Sequence, residues 1–292
     1  MTFLEHLDEL RTRLIRSLIA IAVGIAVAFP FRTDLYNLLL TPQRMRIQNL
    51  FADLIGWLFG SDRGHLFWHY LELWLRSGAS ELTPFVPNFR SPMEPFTALF
   101  KICLIAGFLL ASPVVLYQIW AFVVPALKDS ERRVVVRLGG LMAIFFFGGV
   151  LFAFFVAAPL LLELSANLWR RSEIALQPEN LWTFNDYLGF LFQLVLAFGL
   201  AFQLPLVMAF LVRLGIVEAR FFREKRRYAV FVLLVAAAVI TPGDIVPMAM
   251  MAAPLLALYE LGLLLSALAG RRRALAEAQR LERADVAQPG PL

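Results

Sequence analysis

The chain has 292 residues, of which 60% are hydrophobic and 17% charged, with a mean hydropathy of +0.71 and 27 phenylalanines. A water-soluble fold of this length needs a charged exterior, so the composition excludes one, and lipid is the solvent for much of the chain. The net charge of +5 does not call for nucleic acid, because the basic residues stand in short clusters between apolar runs, where membrane topology accounts for them.

The first element in chain order is an amphipathic helix. Thr2 and Glu5 fit a capping box, and Phe3, Leu7, Leu10 and Leu14 form an apolar stripe at helical spacing. Its polar face carries Glu5, Asp8 and Glu9 beside Arg11 and Arg13. Such acids are explained by helix-start electrostatics and by an i,i+4 pair of Glu9 with Arg13. They also fit an acidic docking site for a basic ligand, since carboxylates hold guanidinium groups through paired hydrogen bonds. The helix leads into an apolar run, Ser17 to Phe31, with Arg13 and Arg16 expected to snorkel to the interface. No cleavage site for a signal peptide is evident, so this run is expected to remain as an anchor.

From about Arg32 to Pro95 a long polar and aromatic stretch follows, with apolar segments of about ten residues that are too short to span and read as interfacial helices. His65 and His69 lie four apart there, but without a third ligand interfacial packing is the better account than a metal. Pro84, Pro87, Pro92 and Pro95 predict extended backbone at its end. Further spanning runs are read at Ile102 to Val124, Val134 to Leu162, Tyr187 to Val212, Tyr228 to Ile240 and Val246 to Ala269. Six spans result. Cys103, the single cysteine, lies in the second, which suits packing and excludes an internal disulfide or a CxxC pair.

The fifth run is the odd one. Between Arg227 and Thr241 stand thirteen residues, a helix of roughly 20 Å against a hydrocarbon core near 30 Å. Thr241-Pro242-Gly243-Asp244 then turns the chain, and the hairpin is expected to thin the bilayer locally. Between the second and third spans, Glu131 opens a helix on the same side as Glu9, where an acid is also favoured by the helix dipole. With the N-terminus inside, the inner segments hold 18 lysines and arginines and the outer segments 9, six of them in the long outer stretch. Both termini are therefore expected to face the cytoplasm. After Ala269, Gly270-Arg271-Arg272-Arg273 opens a charged helical tail that frays at Gln288-Pro289-Gly290-Pro291. The division expected is a six-helix membrane domain over 1–270, with an outer insertion at about 32–95, and a partly disordered cytoplasmic tail over 271–292.

Several ordered motifs carry a resemblance. His6-Leu7-Asp8-Glu9-Leu10-Arg11, Ser91-Pro92-Met93-Glu94-Pro95-Phe96, Ser112-Pro113 through Gln118 to Phe122, Pro125 and Glu131-Arg132-Arg133 resemble the TatC family of twin-arginine translocase subunits. Ala197 to Pro205, Lys225-Arg226-Arg227-Tyr228, Thr241 to Asp244 and Leu258-Tyr259-Glu260 follow in the same order. The likeness covers about residues 1–42 and 90–269. It implies an all-α, multi-pass protein of the bacterial cytoplasmic membrane that is not an enzyme and has no cofactor. It implies a receptor for the paired arginines of signal peptides on folded cargo, assembled with TatA, TatB and further copies of itself, and driven by the protonmotive force without nucleotide. It implies that Glu9, Glu131, Arg11 and Phe122 bind the signal peptide, and that Pro42, Glu94 and Asp244 matter to function.

Two departures from that pattern stand out. Gln203 occupies a place where the family commonly has glutamate, and Met248 one where some members have glutamine. Gln203 bonds but cannot ionise. Glu260, read near the middle of the sixth span, is an intramembrane acid and so a functional candidate, and it is expected to share a polar patch with Gln203. The competing reading of the chain is an ion-coupled small-solute transporter, which predicts internal repeats and broken helices around a mid-membrane site; no repeat is visible.

Overall fold

In a computed structural model, residues 3–44, 89–123, 129–162, 183–240 and 245–287 are described, with the backbone alone at 3–6, 43–44, 123, 129–139, 245–247, 250, 272–274 and 276–287. All regular structure among these residues is helical: α1 (Phe3–Ala28), α2 (Arg32–Leu39), α3 (Thr41–Arg44), α4 (Glu94–Val123), α5 (Asp129–Phe152), α6 (Phe184–Ala201), α7 (Leu204–Leu214), α8 (Ala219–Glu224), α9 (Arg226–Ile240) and α10 (Ile245–Ala287). A 3-10 turn, Phe29–Phe31, joins α1 to α2, and a π-helical turn, Ala153–Ala157, prolongs α5.

Each of the six apolar runs falls on helix, and five stretches are long and apolar enough to cross a membrane: Leu7–Leu39, Glu94–Phe122, Gly140–Leu162, Phe184–Leu214 and Met251–Arg271. The run read as the fifth span is α9, with 15 residues. At 1.5 Å per residue it is about 22 Å long, short of the hydrocarbon core. The apolar part of α10 has 21 residues, the fewest of the five long stretches, and α9 is shorter still. The chain after Gly270 continues α10 to Ala287, which makes the start of the tail helical, as its charge pattern suggests.

Both ends of the stretch expected as an outer insertion, 32–95, carry helix. Residues Arg32–Leu39 form α2, packed on α4 with Leu39 and Leu40 buried, and α4 begins at Glu94 rather than near Ile102. The interfacial helices expected in that stretch, and His65 and His69, lie outside the described residues.

The helices form two compact units, residues 1–128 with 147–198, and 129–146 with 199–292. In the first, α1 lies along α4. A Cβ on Gly24 would stand 2.3 Å from the Gly107 carbonyl oxygen, and one on Gly107 would stand 2.5 Å from the Ile25 nitrogen. Only glycine at both positions lets the backbones touch, the small-residue contact favoured where helices pack in lipid. Tyr187, fully buried, donates its hydroxyl to the Leu39 carbonyl at 2.6 Å. Phe184 packs between Tyr36 and Phe89 at ring distances of 5.1 and 6.2 Å. Thr183 starts α6 by accepting the Asp186 amide at 3.1 Å and donating to the Asp186 carboxylate at 2.7 Å, a reciprocal cap.

In the second unit α7, α8 and α9 all pack on α10. The fourth predicted span is not one helix. Pro205 has no N–H and crowds the carbonyl four residues back, so α6 stops at Ala201 and α7 restarts at Leu204. Helix α7 ends on Gly215 at φ 75, whose amide donates to the Val212 carbonyl while the Ile216 amide reaches Leu211, the left-handed C-cap that glycine adopts without strain.

Candidate functional site

The acidic N-terminal helix meets α4 through side chains. Arg13 donates from Nε and Nη2 to the same Glu9 oxygen, Oε1, the Nε bond measuring 3.0 Å. Its third nitrogen, Nη1, reaches Gln118 Oε1 on α4 at 3.5 Å. The Glu9 and Arg13 side chains are 21% and 19% exposed, so this pair is largely withdrawn from solvent. Arg13 is thus drawn onto the bundle instead of snorkelling outward as its sequence position suggests. One turn on, Ser17 donates to the Arg13 carbonyl at 3.0 Å.

The arrangement leaves Glu9 half used. Both bonds land on Oε1, and Oε2 has no partner among the described residues. A carboxylate offers about four acceptor positions and can take a second guanidinium side by side with the first. Arg13 therefore orients Glu9 through one oxygen and leaves the other without a partner among the described residues.

Helix α4 supplies the wall beside this pair. Pro113 deprives the Leu109 carbonyl of its usual amide donor, and the buried Ser112 hydroxyl takes that place at 2.7 Å. The helix thereby passes a proline and still delivers Gln118 and, one turn later on the same face, the half-buried Phe122. Gln118 is the residue that pattern reading did not single out as a partner of Glu9 and Arg13. Its neutral amide gives no charge or periodicity signal of its own, and only the crossing of α1 and α4 brings it near.

The other candidates fall as follows. Arg11 is exposed on α1, and Pro42 is buried in α3. Glu94 accepts the Arg90 amide at 2.7 Å while its own amide donates to the Ser91 carbonyl at 3.0 Å, which makes it the carboxylate that caps α4. Glu131 lies in the first turn of α5; its side chain, like all of Asp244, lies outside the described residues.

Gln203 sits in the break between α6 and α7, 7% exposed, and donates Nε2 to the Met142 carbonyl at 3.1 Å. Its Oε1 is buried without a partner in the described residues. Glu260 is ion-paired with Arg226, and neighbouring Tyr259 donates to the Phe222 carbonyl at 2.6 Å. The shared polar patch expected of Gln203 and Glu260 is thus not made by contact. Arg226 opens α9 and claims the acid, while Gln203 turns to the backbone of α5.

Among the described residues no group of three or more His, Cys, Asp or Glu is placed to hold a metal ion. What the described residues bring together at the meeting of α1 and α4 is one carboxylate, one guanidinium and one amide.

The family model for the Sec-independent protein translocase protein (TatC) matches residues 5–254. The Sec-independent protein translocase protein TatC of Desulforapulum autotrophicum is 32% identical over 284 residues, 97% of this chain and 91% of that relative. The protein of the same name from Halalkalibacterium halodurans is 33% identical over 272 residues, 93% and 91% of the two chains. A crystal structure of the twin-arginine translocase receptor TatC superposes with a TM-score of 0.68 at 32% identity, covering 90% of this chain and 99% of the other.

Proposed function

The chain belongs to the TatC family of Sec-independent protein translocase proteins, and on that premise we propose that Glu9 and Glu131 together recognise the two adjacent arginines of a signal peptide on a folded cargo protein. The protein is a core subunit of the twin-arginine translocase, a protein-transport component of the inner membrane. The observation that carries the residue-level reading is Glu9, held on one oxygen by Arg13 with the other oxygen unpartnered among the described residues.

A first incoming guanidinium pairs with Glu9 Oε2, and Glu131 is assigned to the second. Guanidinium fits because its planar fork matches a carboxylate edge, whereas the ammonium of lysine is a point charge. Gln118 takes part by holding Arg13 from the far side, and Phe122 offers apolar surface beside it. Arg11, exposed on the same helix, belongs to the same signal-peptide surface. The subunit works with TatA and TatB and with further copies of itself, all six apolar helices lie in the bilayer with both termini cytoplasmic, and the protonmotive force drives export. Pro42, Glu94 and Asp244 act by keeping the outer ends of the helices in place.

The test places a photo-crosslinking residue at position 9 or at position 131 in active membranes and offers a signal peptide with Arg-Arg or Lys-Lys. Contacts from both positions that weaken for Lys-Lys are expected. Absence of contact with either peptide would return both acids to helix-start roles.

A further inference from the structure

Residues 213–228, the connection between α7 and α9, are not used by the proposed receptor site. A candidate span ends at Leu214, and the apolar part of α9 begins after Arg227. Every residue between is therefore within about seven positions of a lipid-embedded helix, which puts the connection at headgroup depth on whichever side it lies.

The surface it presents is two-natured. Ile216, Phe221 and Tyr228 are 66%, 47% and 53% exposed, and a groove of about 530 Å³ is lined by Ile216, Val217, Phe221 and Arg220 with Glu218 and Glu224. Around it six arginines and lysines stand against two acids. Glu224 is satisfied by Arg220 at 2.7 Å, and Arg226 by Glu260 of α10. Arg213, Arg223, Lys225 and Arg227 have no carboxylate partner among the described residues, and Glu218 is the one acid left to oppose them. Arg227 and Lys225 lie instead over the Tyr228 ring, at 4.9 and 5.6 Å.

The connection is also preformed. The Tyr259 hydroxyl grips the Phe222 carbonyl, and Ala219 Cβ stands 3.8 Å from where a Cβ on Gly270 would be, so α8 is pinned to α10 before any ligand arrives. Exposed apolar side chains to enter the acyl boundary, flanked by cations in excess of acids, are what an anionic bilayer surface binds.

We propose that residues 213–228 form a docking surface for anionic phospholipid, with Ile216 and Phe221 inserted at the acyl boundary and Arg213, Arg223, Lys225 and Arg227 on the phosphates. A protein partner would have to offer both acid and apolar surface at the same depth. The lipid offers both everywhere along the loop.

The test uses the full chain in liposomes of phosphatidylglycerol and phosphatidylcholine in equal parts, with a photoreactive phenylalanine analogue replacing Phe221. Crosslinks to phosphatidylglycerol should exceed those to phosphatidylcholine by about fivefold or more, and the preference should fall as salt rises from about 0.05 to about 0.5 M. The combined change Arg223→Gln, Lys225→Gln and Arg227→Gln should erase it, since each basic residue lost weakens headgroup attraction about fivefold. Equal labelling of the two lipids, labelling of protein in place of lipid, or displacement by free inorganic phosphate overturns the proposal. The labelling ratio of the otherwise unaltered chain decides the matter even if the triple variant misfolds.

Discussion

Glu9 and Gln203 show how differently a single polar side chain behaves when its unmet valence faces a ligand or faces the core. Glu9 keeps one oxygen without a partner among the described residues at a helix crossing where its side chain is still partly exposed, so Glu9→Gln should leave the fold intact and cost the charged hydrogen bonds to the peptide. At about 1.5–3 kcal/mol for bonds to a charged group, the signal-peptide Kd should rise tenfold or more, read by fluorescence anisotropy with circular dichroism as the fold control. Gln203 is the opposite case, since it makes one bond to the Met142 carbonyl and buries a second polar atom with no partner among the described residues. Gln203→Leu removes both the bond and the orphan, so the thermal stability in detergent should change by less than about 1 kcal/mol. A loss well beyond that would mean that a donor absent from the described contacts satisfies Gln203 in the membrane. The acid at position 9 and its i,i+4 arginine were legible in the sequence because their spacing alone brings them together. Gln118 was not, because its role depends on a contact across 105 positions of chain.

Among the elements, α1 and α4 are joined where Gly24 meets Gly107 with no room for a methyl group. Gly24→Ala should separate the helices and destabilise the first unit by about 1–3 kcal/mol, seen as a lowered midpoint of thermal unfolding in detergent. An unchanged midpoint would show that the crossing can slide. Helix α9 is governed by length. Adding about four leucines would bring it from about 22 Å toward the hydrocarbon thickness and relieve the bilayer thinning expected of it. Export of a twin-arginine reporter should fall while membrane insertion stays intact, and undiminished export would remove the case for thinning. The short α9 could be counted off between Arg227 and Thr241, whereas the break between α6 and α7 was hidden. Hydropathy runs unbroken through Phe184–Leu214, and Pro205 was read as part of a motif when its missing N–H should have been read as a helix start.

For the whole molecule, the bias of basic residues sets the orientation proposed above. A cysteine introduced by Asp8→Cys should react with an impermeant maleimide only from the cytoplasmic side, the native Cys103 being buried. Labelling from outside would invert the topology and with it the side on which Glu9 meets a ligand. Fold class and helix positions were legible because each apolar run is a local property and lipid demands that its backbone be helical. The partners of Glu260 and Gln203 were not, because depth along a span was inferred from residue count. The actual partner of Glu260 was decided by where α9 begins.

Helix α10 has 43 residues and so is about 64 Å long, of which the part beyond Arg271 accounts for about 24 Å. That overhang turns the last helix into a pointer anchored in the bilayer. A fluorophore carried at Ala287 would sweep through a wide arc for a small change in tilt, so energy transfer from it to a dye in the headgroups would report on the angle of the last span while cargo is being moved.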